Sequence, residues 1–381
     1  MSEERSLNEE ELKYVRAEAR EALSCLLKEA NYNPIQVSAD GTHHFSWLNG
    51  QVDNTGISDR CQYFDQFGFL HLPAFASRDE IQAMKHQMEM LTRSWDPAEK
   101  TMAFSTQVED NESQGSDDYF LESASRVHFF AEATALNEEG SLKEEYTTDK
   151  VRALNKAGHA MHTIQGAFQD YTVSSKVRSL VAELGWKDPV VPQSMYICKN
   201  PKIGGTVHSH QDSTFLYTEP RQSCLGLWLA LDDATLVNGC LWVRPKSHRE
   251  AVRRQFKRNV DYFTQDGITN SSNRGNGDPT QPKMIFEVFH QDVEWEGKLP
   301  PNAEPPCRGL LDAGFIPIEC ESGDLVAFPG TLDHLSLPNY SNEQRHTFQL
   351  HLVEGNSAGV LWSRSNWLQY PKGKTFVSIK T

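Results

Sequence analysis

Residues 224–243 read CLGLWLALDDATLVNGCLWV. An apolar run of strand length, a polar break ending in Asn238-Gly239, and a second short apolar run follow one another. Bounded by turn residues, such runs read as β-strands rather than helices. The same texture recurs at residues 193–198, 285–289, 325–328 and 347–353, with Gly, Pro and Asn turns between them. Several short strands with turn signals predict an antiparallel sandwich or jelly roll. Two polar interruptions, at about residues 264–283 and 294–308, read as long surface loops.

Before residue 189 the pattern changes. Asn8 and Glu11 read as a capping box, followed by Leu12, Val15, Ala19, Ala22, Leu23, Leu26 and Ala30 at helical spacing. Asn31 to Pro34 ends that helix. Residues 63–75 (YFDQFGFLHLPAF) read as strand-like, with Gly68 at the middle. Ser77 caps a helix with Glu80 three residues on, and Ile81, Met84, Met88 and Leu91 form its buried stripe. Residues 96–118 are polar and read as a loop. Residues 155–181 read as helix, with Ala157, Met161, Ile164 and Phe168 on one face. Helices first and strands after predict one α+β domain rather than two independent ones.

The chain has 381 residues, 37 Lys plus Arg and 52 Asp plus Glu, for a formal charge of −15. That balance argues against nucleic acid and against anionic lipid as partners, since both need a positive footprint. No run approaches the roughly 20 apolar residues of a membrane span. The seven cysteines are scattered, without a C-x-x-C pair, which disfavours a zinc ribbon or a disulfide framework. The first residues carry no secretory pattern, and Ser378-Ile379-Lys380-Thr381 is not a peroxisomal address, so a reduced cytoplasmic setting is expected.

Chemistry is sought among the histidines. The pattern H-x-D/E occurs at His210-Gln211-Asp212, His248-Arg249-Glu250 and His290-Gln291-Asp292. Fourteen histidines in a chain with 52 acidic residues give about two such matches by chance, so context must decide. In a strand, residues two apart share a face, where an imidazole and a carboxylate can bind one ion. A second His completes the two-histidine, one-carboxylate triad of Fe(II) oxygenases. His248 lies in a turn, and His290 runs into a polar loop. His210-Gln211-Asp212 lies between the Gly204-Gly205 turn and an expected strand at residues 213–217. His334 is the best distal partner, followed eleven residues on by Arg345 at the start of a strand.

These residues also carry a resemblance. Gln193-Ser194-Met195-Tyr196-Ile197, the run from His210-Gln211-Asp212 through Glu219-Pro220, Asp233-Ala234-Thr235-Leu236 and Asn238-Gly239-Cys240-Leu241-Trp242 resemble the phytanoyl-CoA dioxygenase family, most of all its domain-containing protein 1 group. Asp118-Tyr119-Phe120-Leu121, Asn155-Lys156-Ala157-Gly158-His159-Ala160 and residues 363–368 extend the likeness. The resemblance implies a double-stranded β-helix (jelly roll, cupin-like) core at residues 61–370, with a helical extension at 1–60 packed outside and a tail at 371–381. It implies Fe(II), O2 and 2-oxoglutarate, with ascorbate as a candidate accessory. By that pattern His210, Asp212 and His334 bind iron and are catalytic, and Arg345 holds the distal carboxylate of 2-oxoglutarate. Lys156, Met195, Trp228 and Ser336 line the cosubstrate.

The implied reaction oxidises an unactivated C–H bond of a small, anionic, carboxylate-containing substrate while 2-oxoglutarate is decarboxylated to succinate. Two other outcomes stay open. One is oxidative cyclisation, such as kainoid ring closure from an N-prenylated glutamate. The other is a non-catalytic ligand-binding member of the fold; a zinc-stabilised structural jelly roll would leave Arg345 without a reason. Blander roles compete residue by residue: Lys156 as a solvated lysine, Met195 and Trp228 as core, Ser336 as a turn residue, His159 and His162 as packed or capping residues of a helix. His208 shares a strand face with His210 and supports it at most from behind. Arg244, two residues from Trp242, is a candidate for a substrate carboxylate if that strand face points inward and a solvated arginine if it points outward, and Arg126, Arg249 and Arg364 are weaker candidates. The oligomeric state is not legible.

Overall fold

The apolar runs do become strands. The computed structural model describes residues 9–29, 58–97, 102–104, 117–263, 278, 280–290, 296–304 and 307–380. In chain order the strands are β1 (Leu70–Leu72), β2 (Met102–Phe104), β3 (Val127–Glu132), β4 (Leu154–His159), β5 (Pro189–Lys199), β6 (Val207–His210), β7 (Thr218–Glu219), β8 (Leu225–Ala230) and β9 (Leu241–Val243). They continue with β10 (Arg254–Arg258), β11 (Met284–Val288), β12 (Ile316–Ile318), β13 (Leu325–Pro329), β14 (His334–Ser336), β15 (Arg345–Glu354), β16 (Leu361–Trp362) and β17 (Val377–Ser378). The larger sheet runs β1-β13-β8-β15-β5-β4-β3-β2, with β17 beside β5. Its pairs are antiparallel except β2 with β3. A second antiparallel sheet runs β12-β9-β14-β6, and β10 and β11 form a separate ribbon.

Centrality explains composition. β8 lies between β13 and β15 with all six residues buried, so it is apolar on both faces. Trp242, Tyr196 and Phe348 are fully buried, and burial of an apolar side chain such as Phe348 stabilises the fold by roughly 1.5–3 kcal/mol.

Helices cover the outside. In α1 (Glu9–Glu29), Val15, Ala19, Leu23 and Leu27 form one buried stripe. Arg16 clamps Glu319 with two hydrogen bonds of 2.7 and 2.8 Å. The expected cap at Asn8 lies outside the described residues. In α3 (Arg78–Ser94) the capping box is complete: Ser77 Oγ accepts from the Glu80 amide, and Glu80 accepts from the Ser77 amide at 2.8 Å. Among the described residues no helix is long and apolar enough to cross a membrane.

Four local expectations are corrected. Residues 63–75 are not one strand. They hold the end of α2 (Asp59–Phe67), which starts at the Ser58 cap and stops at Gly68, whose φ of 82° suits glycine. Only then does β1 follow. The aromatic run misleads because Tyr63, Phe64 and Phe67 fall on one buried helical face. Residues 155–181 are not one helix. Small residues let β4 slot between β3 and β5, and pairing on both edges overrides helical propensity. Short helices at Ala167–Thr172 and Ser175–Glu183 come afterwards. Residues 213–217 are no strand either: Asp212–Thr214 is a 3-10 turn. Within residues 96–118, Met102–Phe104 pairs with β3 instead of looping.

Candidate functional site

The site grows from one strand pairing. β6 and β14 run antiparallel with His210 opposite His334, so the two imidazoles sit with ring centres 4.2 Å apart. His210 Nδ1 lies 2.8 Å from the His208 carbonyl, and His334 Nδ1 lies 3.0 Å from the Leu332 carbonyl. A carbonyl only accepts, so both protons sit on Nδ1 and both Nε2 lone pairs are free to bind metal. Asp212 reaches the same point from the 3-10 turn rather than from a shared strand face. Its Oδ1 lies 3.4 Å from His210 Nε2 and 3.7 Å from His334 Nε2. The three donors all lie within 4.8 Å of one another. Donors gathered this closely are within reach of a single ion.

A second circle of contacts aims these donors. Asp212 Oδ2 accepts from His351 Nε2 at 3.1 Å, and Gln193 approaches the other His351 nitrogen at 3.5 Å. Gly226 leaves room for this carboxylate, since a Cβ there would stand 3.3 Å from Asp212 Oδ2. Burial would raise the Asp212 pKa, but the neighbouring imidazoles of His351, His334 and His210 hold it well below the usual range. Burial pushes His334 down to about 4, toward the neutral ligand form. Asp333, fully buried beside His334, accepts from Ser209 at 2.6 Å and from Arg253 at 2.9 and 3.2 Å. It thereby ties β6 to β14.

Beyond the triad, both sheets enclose a cavity of about 170 Å³. Arg345 stands in its wall, 2% exposed. Its one hydrogen bond is a long 3.5 Å contact to Thr347, its guanidinium lies 5.6 Å from the Trp228 ring, and its buried Nε has no partner among the described residues. Burial lowers its pKa to about 10, as befits a cation without a facing carboxylate. A carboxylate-bearing ligand would supply that missing partner. Lys156, Met195, Trp228 and Ser336 line the same cavity, with Lys156 Nζ 3.9 Å from Met195 Sδ.

Other candidates go elsewhere. Arg244 hydrogen-bonds Glu250 at 2.6 Å and Asp333 at 3.1–3.2 Å and is not among the cavity-lining residues. Of the two readings of Arg244, pocket-facing or outward, neither holds as stated: the side chain is captured by Asp333 and Glu250. Arg126, Arg249 and Arg364 are exposed, Arg249 against Asp65. Asp292 lies outside the described residues. His159 ends β4 and His162 sits in a 3-10 turn, so neither lies on the expected helix; they hydrogen-bond Ser123 and Ser194, each at 2.7 Å.

The sequence reading passed over His351, Arg254 and Glu132, all of which line the cavity. His351 stands six residues after Arg345 on β15, an even spacing that places both on one face. Burial raises Glu132 to about 7 against the opposing pull of Lys199.

Residues 64–347 match the phytanoyl-CoA dioxygenase (PhyH) family. A phytanoyl-CoA dioxygenase of Arabidopsis thaliana is 38% identical over 314 residues, covering 82% of this chain and 94% of that one. Phytanoyl-CoA dioxygenase domain-containing protein 1 of Mus musculus is 37% identical over 308 residues, covering 80% of this chain and 92% of that one. The solved structure of the epimerase SnoN in complex with Fe3+, alpha ketoglutarate and nogalamycin RO is similar at a TM-score of 0.48 and 11% identity, covering 83% of this chain and 90% of that one.

Proposed function

Because this chain belongs to the phytanoyl-CoA dioxygenase family, as an iron- and 2-oxoglutarate-dependent dioxygenase, we propose that it oxidises an unactivated C–H bond of a small organic substrate while 2-oxoglutarate is converted to succinate and CO2. Its two sheets are then the halves of a double-stranded β-helix. His210, Asp212 and His334 would hold the iron on one side and leave its other face open. Arg345 would bind the distal carboxylate of 2-oxoglutarate through a planar pair of donors, which a lysine could not present. Lys156, Met195, Trp228 and Ser336 would enclose the cosubstrate and exclude water. Iron with 2-oxoglutarate and O2 would supply the oxidising power. His351 favours the ionised form of Asp212 and would hold its other oxygen toward the ion.

One observation carries this reading: two free Nε2 atoms and one carboxylate oxygen converge on the cavity that also holds the buried, unmatched Arg345. The test is succinate release from 2-oxoglutarate by iron-loaded protein in air, screened with candidate substrates. Release stimulated by a substrate supports the reading. Iron-loaded protein that forms no succinate with or without any of them refutes it in favour of a ligand-binding role.

A further inference from the structure

The ribbon strand β10 contributes a second arginine to the cavity that Arg345 lines. Arg254 and Phe256 are two residues apart and both line the cavity. The Arg254 side chain is 8% exposed. Its Nε donates to Glu296 Oε1 at 2.7 Å, and its guanidinium stacks 4.1 Å from the Phe286 ring centre. Among the described residues its hydrogen bonds end there, so the outer edge of the fork, Nη1 and Nη2, is unused.

Glu296 is also only half its own: the other oxygen accepts from Arg253 at 2.7 Å. Asp333 and Glu250 are turned to Arg253 and Arg244. Arg254 therefore shares its one carboxylate with Arg253 and keeps the Nη edge of its fork unpaired among the described residues, and burial depresses its pKa despite Glu296. It lines the same cavity as the candidate metal ligands. A chain of aromatic contacts leads from His210 to Phe215 at 6.2 Å, from Phe215 to Phe256 at 5.7 Å, and from Phe256 to Phe286 at 4.9 Å.

Resting on the oxygenase reading above, we propose that Arg254 anchors a carboxylate of the substrate, whose apolar body lies along Phe215 and Phe256 toward the iron. Arg345 serves the cosubstrate, and Arg254 serves the molecule that is oxidised. A single planar fork matches a carboxylate, whereas a phosphate group gains from several converging donors. The residue determines specificity by charge, and the rings beside it select an apolar chain.

The experiment uses the full chain with Fe(II) and saturating 2-oxoglutarate under anaerobic conditions. The visible charge-transfer band of the ferrous 2-oxoglutarate complex is titrated with octanoate, octan-1-ol, octylamine and octyl phosphate. Octanoate is expected to shift the band at a concentration about tenfold or more below the alcohol and the amine. Arg254→Gln should erase that preference and Arg254→Lys restore part of it. Equal potency of the alcohol in the wild type overturns the proposal without any variant. So does a preference that survives in Arg254→Gln, or octyl phosphate outranking octanoate. Loss of band intensity with octanoate means displacement of 2-oxoglutarate and also overturns it. Absence of the band before any titrant is added is a different failure: the oxygenase reading falls, and the substrate assignment with it.

Discussion

Asp212 uses its two oxygens differently: Oδ1 faces both imidazoles and Oδ2 accepts from His351. A carboxylate pinned this way presents one lone pair in a fixed direction, which favours a one-toothed bond to metal. His351→Ala is expected to weaken Fe(II) binding about 10- to 100-fold, read by equilibrium titration of the purified protein, while the fold persists. An unchanged affinity would show that Gly226 and the turn suffice to aim the carboxylate. At this scale the candidate donors are legible because residue type and context narrow the choice to His210, Asp212 and His334. The support is not legible. His351 belongs to no local motif with Asp212, 139 positions away. Arg244 misleads because strand alternation fixes a face but not the competition from Asp333, a buried acid 89 positions away.

Among the elements, β1 depends on a carboxylate that sequence patterns do not advertise. Asp324 Oδ2 meets His71 Nε2 at 2.9 Å and accepts from the Glu321 amide at 3.0 Å, while Oδ1 accepts from the Ala74 amide at 2.8 Å. Burial works to raise its pKa, yet His71 and these amides bring it below the ordinary value. A depressed carboxylate contributes stability above its unfolded pKa, about 3.9, and loses it as pH falls through the folded value. Asp324→Asn should cost about 1–3 kcal/mol at neutral pH and flatten the acid limb of the stability curve, measured by urea unfolding between neutral and acidic pH. A parallel loss at every pH would contradict the ionic account. β5, β8, β9, β11, β13 and β15 are legible because apolar runs between turns have few alternatives, whereas the short strands β10, β12, β14, β16 and β17 carry no such run. The errors at α2 and β4 have one cause: periodicity cannot tell a short buried helix from a strand when only long-range pairing decides.

At the scale of the molecule, helices, two sheets and the cavity form a coupled system, because donors from β6, β14 and the turn meet only in the folded chain. Metal should therefore stabilise the fold by about 2.7 kcal/mol at a hundred times its Kd, and raise the melting temperature accordingly. A further rise with 2-oxoglutarate should require metal and should vanish in Arg345→Ala, which keeps the metal increment; calorimetry with and without chelator checks both. An undiminished 2-oxoglutarate increment in that variant would place the distal carboxylate elsewhere. The general architecture is legible from texture, but the cavity is not, since it exists only between sheets whose order follows no sequence order. The most direct test of the central claim is anaerobic Fe(II) titration of wild type and Asp212→Ala, with circular dichroism confirming the same fold. The account predicts a single iron per wild-type chain and an affinity at least a hundredfold weaker in the variant, roughly 2.7 kcal/mol. Equal stoichiometry and affinity in the two proteins would contradict it.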